Sequence, residues 1–185
     1  GINKEKVIIA GDSAGGNLAA AVTLMLKDRE QSIPNGVMLI YPVTDRRMIT
    51  ESMKKYTDTP VWDSNLSKMM WNVYLGEKMP VPIQYASPME AETLADFPKT
   101  YIEVAEFDSL KDEGVAFSQR LQEEGVSVEL HEVKGACHGF EMALDSSIVQ
   151  EAMQRRLKWI GYIMKYSNII IMENGTFRLW RRAFL

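Results

Sequence analysis

The stretch that most constrains this chain is Val7-Ile8-Ile9-Ala10-Gly11-Asp12-Ser13-Ala14-Gly15-Gly16-Asn17-Leu18-Ala19-Ala20-Ala21. Apolar, β-favouring residues run into a glycine. An alanine-rich segment follows, with Leu18, Val22, Met25 and Leu26 at helical spacing. The pattern predicts strand, sharp turn and helix, with Ser13 at the apex. A G-x-S-x-G string in that setting is what a nucleophile elbow requires. The serine is held in a strained backbone conformation, so its hydroxyl projects clear of both elements. Strand and helix then pass close together, and a Cβ at Gly11 or Gly15 is expected to collide. The helix begins directly after Ser13, so its unpaired N–H groups and positive dipole end face the apex. The N–H of Ala14 is the expected oxyanion donor. Glycine-rich strand-to-helix turns can also cradle phosphate. Here no Lys-Ser/Thr pair follows the glycines and no G-x-G-x-x-G is present.

A serine hydroxyl is a weak nucleophile at neutral pH and needs a base, which itself needs an orienting partner. The chain contains only two histidines. His131 sits inside the alternating strand that Val126, Val128 and Leu130 mark, where an exposed or packed side chain is expected. His138 lies in Gly135-Ala136-Cys137-His138-Gly139-Phe140, a Gly-rich loop past a strand end, where the catalytic groups of parallel sheets collect. His138 is therefore the expected base. Asp108 follows the strand Thr100–Ala105 in the same way and is the expected acid. Asp112 and Glu113 fall where the next helix starts, and there they serve its dipole. Cys137 reads as a packed bystander, and Asp12 as a structural or substrate-contacting residue.

Beyond the elbow helix, which should run to about Arg29, Val37–Tyr41 is a continuous apolar run closed by Pro42. Such a run suits a strand buried on both faces. Asp63 or Ser64 could cap a helix ended by Gly76. A further helix carries Phe117 and Leu121 and stops at Gly125. Ser147 with Gln150 forms a candidate capping box for a last helix reaching Met164. Strands alternating with helices predict an α/β fold, a mostly parallel sheet with helices on both faces. In the tail, Asn174-Gly175 between Ile169–Met172 and Phe177–Trp180 is a hairpin signal.

The string Gly-Asp-Ser-Ala-Gly-Gly-Asn-Leu over 11–18 resembles the hormone-sensitive-lipase-like branch of the α/β-hydrolases, which includes carboxylesterases and acetyl esterases. Asp108-Ser109-Leu110-Lys111-Asp112-Glu113-Gly114 is similar to that family's acid motif, whose first Asp is the triad member. His138-Gly139-Phe140 is similar to its histidine motif. The order Ser, Asp, His is also the family's. The resemblance covers about residues 1–165. It implies a partial α/β-hydrolase fold and a Ser13–Asp108–His138 triad. The implied activity is a serine carboxylesterase acting on small or short-chain acyl esters, with no metal or organic cofactor. Residues 43–98 would supply part of a cap over the site. Met48, Met53, Trp62, Met69, Met70 and Trp71 could line an acyl pocket there, although packing of the helix onto the core is the favoured use for most of them. The family's oxyanion hole also draws on a His-Gly-Gly string, which is absent here. The expected organisation is thus the C-terminal part of a hydrolase domain over 1–166, with N-terminal strands missing, and an atypical tail over 167–185. Such a chain alone should be weakly active or inactive. A prolyl-oligopeptidase-type serine peptidase and an inert, self-associating fragment are the rival readings.

Composition excludes several other classes. At 185 residues, with 46% hydrophobic and 25% charged residues, the chain suits one globular domain with a substantial core. A net charge of −4 without a basic cluster argues against nucleic acid as a partner. No apolar run reaches transmembrane length. The single cysteine excludes an internal disulfide and suits a reducing, cytoplasmic compartment. The expected partner is a small-molecule ester. A homo-oligomer could form through an exposed sheet edge or the tail.

Overall fold

The computed structural model describes residues 6–77 and 82–164, together with the backbone of 169–173 and 176–180. Strand β1 (Ile8–Asp12) turns at Ser13 into helix α1 (Ala14–Asp28), one residue short of the expected end, with Arg29 as its C-cap. Strand β2 (Gly36–Ile40) follows, then a short helix α2 (Glu51–Lys55) and helix α3 (Ser64–Leu75). Strand β3 (Lys99–Phe107), helix α4 (Lys111–Glu123), strand β4 (Val128–Cys137) and helix α5 (Ser147–Met164) complete this part. The four strands form one parallel sheet in the order β1-β2-β3-β4.

Side-chain alternation along the strands divides the core between the two faces of the sheet. Val37, Leu39, Ile102 and Val104 pack with Ala20 and Leu24 of α1 and with Phe117 and Leu121 of α4. Met38, Ile40, Tyr101 and Val133 pack on the other face with Ala152 and Trp159 of α5. Every residue of β2 is buried, as a strand with helices on both faces requires. This is the α/β architecture that the sequence predicts.

Several local expectations change. Asp63, not Ser64, caps α3: its Oδ1 accepts from the Leu66 N–H at 2.9 Å, and Gly76 ends the helix at φ +60°. Helix α5 begins at Ser147 itself, and the Ser146 Oγ accepts from the Ile148 N–H at 3.3 Å, so the cap lies one residue earlier than the Ser147–Gln150 box. Strand β4 runs to Cys137, well past Leu130, while His131 lies inside it as expected. Its register against β3 shifts between Ala105 and Phe107, where Gly135 adopts φ +75° and donates its N–H to Glu106 Oε2 at 2.8 Å. A bulge of this kind bends the strand and redirects the residues beyond it. Here those residues are Cys137 and His138.

In the tail, β5 (Ile169–Glu173) and β6 (Thr176–Trp180) pair antiparallel, with Ile169 opposite Trp180 and Glu173 opposite Thr176. The Asn174-Gly175 turn signal lies outside the described residues. Among the described residues no helix is long and apolar enough to cross a membrane.

Candidate active site

The site is built at the C-terminal ends of β1, β3 and β4. Ser13 sits at φ +53° and ψ −119°, a conformation rare for a residue with a Cβ. Strain of this kind costs about 1–3 kcal/mol and persists only where surrounding bonds over-determine it. They do so here. The Ser13 N–H donates to Ile40 O at 2.9 Å, and its carbonyl accepts from Asn17 and Val43 N–H, both at 3.2 Å.

The close approach of strand and helix is real, but the glycines divide the work differently from expectation. A Cβ on Gly11 would stand 2.1 Å from the carbonyl oxygen of Gly15. A Cβ on Gly15 itself would meet only Asp12 Oδ1, at an ordinary 3.6 Å. The other crowded position is Gly16, where a Cβ would stand 2.8 Å from Pro42 Cβ. The expectation for Gly15 is thus corrected. Its backbone, not its missing side chain, occupies the space against β1.

The structure brings the three expected site residues together. His138 Nε2 lies 2.9 Å from Ser13 Oγ, and His138 Nδ1 lies 2.7 Å from Asp108 Oδ2. Asp108 is fully buried, and its Oδ1 accepts from the Leu110 N–H at 2.9 Å. The imidazole is buried against two rings, with centroids 4.5 Å away for Tyr41 and 5.9 Å away for Trp62. Ala14 is the first residue of α1, beside Ser13 at the positive end of the helix. A cavity of about 480 Å³ opens from Ala14 and is lined by Asn17, Val43, Trp62, Met70 and Trp71. Trp71 is also a core residue of this region, Met48 and Met53 pack in that core without lining the cavity, and Met69 lines it while 64% exposed. Packing and pocket-lining therefore fall partly on the same side chains.

The other candidates have different roles. His131 packs on the Tyr101 ring and lies 2.7 Å from Glu129 Oε1. Asp112 accepts from the Ser52 N–H at 2.7 Å, tying α2 to α4. Glu113 is buried, and its Oε1 accepts from the N–H groups of Thr44 at 2.6 Å and Asp45 at 3.3 Å. Cys137 is half-buried. No group of three or more His, Cys, Asp or Glu side chains among the described residues could hold a metal ion.

Reasoning from sequence missed Asn17. Its buried Nδ2 donates to Val43 O at 3.0 Å and to Ala86 O at 2.8 Å. One amide thus holds the segment after β2 and the turn at 83–86 onto the elbow helix. The available signal was a polar residue on the inward face of an otherwise alanine-rich helix. Replacing Asn17 with alanine strands two buried carbonyls, and a loss of about 2–3 kcal/mol is expected in urea unfolding. A change within 0.5 kcal/mol would show that the two carbonyls find other partners.

A parallel sheet whose first strand–helix junction presents a strained serine to a His–Asp pair from later strand ends defines an α/β-hydrolase. Comparison with known proteins agrees. A family model described as the alpha/beta hydrolase fold matches residues 1–142. Esterase LipI of Mycobacterium tuberculosis is 33% identical over 144 residues, which make up 76% of this chain and 44% of LipI. An arylesterase of Saccharolobus solfataricus is 33% identical over 141 residues, covering 76% of this chain and 46% of that protein. The solved structure of a bacterial heroin esterase superposes with a TM-score of 0.84 at 34% identity, over 89% of this chain and 53% of that one. The chain belongs to the α/β-hydrolase family, in its hormone-sensitive-lipase-like branch. It spans about half the length of these relatives.

Proposed function

We propose that residues 1–166 are the triad-bearing part of a serine carboxylesterase that acts on small or short-chain acyl esters. The observation that carries this reading is the continuous contact from Ser13 Oγ through His138 to Asp108. Ser13 Oγ attacks the ester carbonyl carbon while His138 Nε2 takes its proton. Asp108 holds the Nδ1–H tautomer and steadies the imidazolium. The tetrahedral oxyanion faces the Ala14 N–H at the helix start. Collapse breaks the bond to the alcohol oxygen, which leaves with the proton from His138. Water, deprotonated by the same imidazole, then releases the acid from Ser13. The apolar lining of the adjoining cavity favours an uncharged ester group over a charged one. The relatives are named as esterases, which supports ester over peptide hydrolysis.

The test is a fluorophosphonate probe followed by peptide mapping. Stoichiometric label on Ser13, absent from Ser13→Ala, is the expected result. Hydrolysis of nitrophenyl acetate or butyrate is expected to exceed cleavage of prolyl peptides. Turnover of this chain alone should stay below that of full-length esterases, because Ala14 is the one oxyanion donor its sequence identifies. Each such donor is worth ~10²–10³ in rate. Folded protein that leaves Ser13 unlabelled would overturn the reading.

A further inference from the structure

His138 makes its two hydrogen bonds at the ring edge, but its lateral position depends on the face it rests on. The nearer of the two rings against it is Tyr41, with centroids 4.5 Å apart and planes tilted by 51°. Tyr41 is the residue directly after β2, at φ +32°. Its N–H donates to Glu103 O at 2.6 Å, so β3 holds its backbone. Its hydroxyl donates to Glu141 Oε2 at 2.6 Å. Burial, reinforced by the neighbouring Glu141, raises the Tyr41 pKa, so the hydroxyl stays a donor.

Glu141 lies three residues after His138, in the turn Phe140–Met142. Its other oxygen, Oε1, pairs with the Arg156 guanidinium from α5. The same guanidinium pairs with Glu103 Oε1, donating from Nε at 3.1 Å. Glu103 is fully buried on β3, and its Oε2 accepts from the Tyr101 hydroxyl at 2.7 Å. The result is a chain of polar contacts, Tyr41–Glu141–Arg156–Glu103–Tyr101, running from the imidazole's resting face to the centre of the sheet. Between His138 and Glu141 lies Gly139 in the left-handed region, at φ +69°. A glycine there is a permissive joint. Without an anchor beyond it, the turn carrying the imidazole could swing about that joint.

We propose that Glu141 is a positioning residue for His138. One carboxylate oxygen locks the Tyr41 ring beneath the imidazole, and the other moors the His138 turn to Arg156. Neither Glu141 nor Tyr41 exchanges a proton with substrate. This inference rests on the esterase reading for its kinetic consequence but not for its geometric one. Misplacing a reacting group by an ångström can cost about 10²-fold in rate, which gives the scale of the effect.

Three variants separate positioning from bulk packing. Tyr41→Phe keeps the ring and removes only the hydroxyl. Glu141→Ala removes both anchors. Glu141→Gln keeps an oxygen that can accept from Tyr41 and changes the partner of Arg156. Rates of fluorophosphonate labelling at Ser13, corrected for the folded fraction by circular dichroism, are expected to fall about 10–100-fold in Tyr41→Phe and Glu141→Ala. Glu141→Gln, which keeps the acceptor for Tyr41 but gives up the charged pair with Arg156, is expected to lose clearly less than Glu141→Ala. The second readout is the His138 Nδ1 proton in the NMR spectrum, which needs no catalysis. It should exchange slowly with water in the parent and in Glu141→Gln, and rapidly in Tyr41→Phe and Glu141→Ala. Parent-like exchange in Tyr41→Phe would overturn the proposal, as would equal losses in Glu141→Gln and Glu141→Ala. If the parent is never labelled but the exchange pattern holds, the esterase reading fails and the positioning role stands.

Discussion

Asp108→Asn is expected to slow fluorophosphonate labelling of Ser13 by about 10⁴, the scale known for removing the charge of a triad aspartate. The argument is geometric. Asp108 is fully buried, with Oδ2 at 2.7 Å from His138 Nδ1 and Oδ1 committed to the Leu110 N–H at 2.9 Å. An asparagine fits the same space. Its carbonyl oxygen can keep the Leu110 bond, which turns the amide NH₂ toward Nδ1. That nitrogen must then accept, and the ring proton moves to Nε2. The imidazole nitrogen 2.9 Å from Ser13 Oγ then carries a proton, where a free lone pair is required. The base is present and correctly placed, in the wrong tautomer. Thermal unfolding should change by far less than the labelling rate. A variant that labels within threefold of the parent would show that Asp108 does not orient His138.

Glu113→Gln is expected to change the pH dependence of stability strongly. Burial pushes the Glu113 carboxyl up to about 8, and nearby Asp45 and Asp108 add to this, although the Thr44 and Asp45 N–H groups act in the opposite direction. Its Oε2 is buried and unpartnered. The folded protein therefore keeps a proton that the unfolded chain releases near the ordinary carboxyl value. The stability this group contributes is fully present below about pH 4.5 and declines as pH rises through about 8. The shift corresponds to a decline on the order of 4–5 kcal/mol at ~1.4 kcal/mol per unit. Glutamine cannot ionise and keeps the acceptor for Thr44. Urea unfolding should give similar stability for parent and variant near pH 4.5, then a growing advantage for glutamine up to about pH 8. Parallel curves across that range would mean that Glu113 titrates like a solvated acid.

Glu113 also marks where reading the sequence alone falls short. Its place in the first turn of α4 suggested a simple dipole role, and it does occupy that turn. The partners that make it a buried structural acid are Thr44 and Asp45, nearly seventy positions earlier in the chain. Gly15 and Gly16 are indistinguishable as letters. The one that must lack a Cβ is the one that Pro42 crosses. Tyr41 and Glu141 carry no motif that would link them. By contrast, the elements were legible where periodicity was local and strong, as in β2 and α1, and least so in β4, whose bulge follows from its pairing with β3.

The linear order of residues by itself determined the strand–turn–helix at Ser13, the alternation of strands and helices, and the positions of Asp108 and His138 past strand ends. These depend on side-chain periodicity and on turn chemistry within a few residues, which a chain carries without reference to distant partners. Tertiary structure alone decided that Ser13, His138 and Asp108 lie within 3 Å of their neighbours, and which ring supports the imidazole. It also decided which buried carboxyls are paired. Those outcomes follow from parallel pairing of β1 to β4, which closes sequence gaps of 30 to 125 residues through contacts that no local pattern encodes.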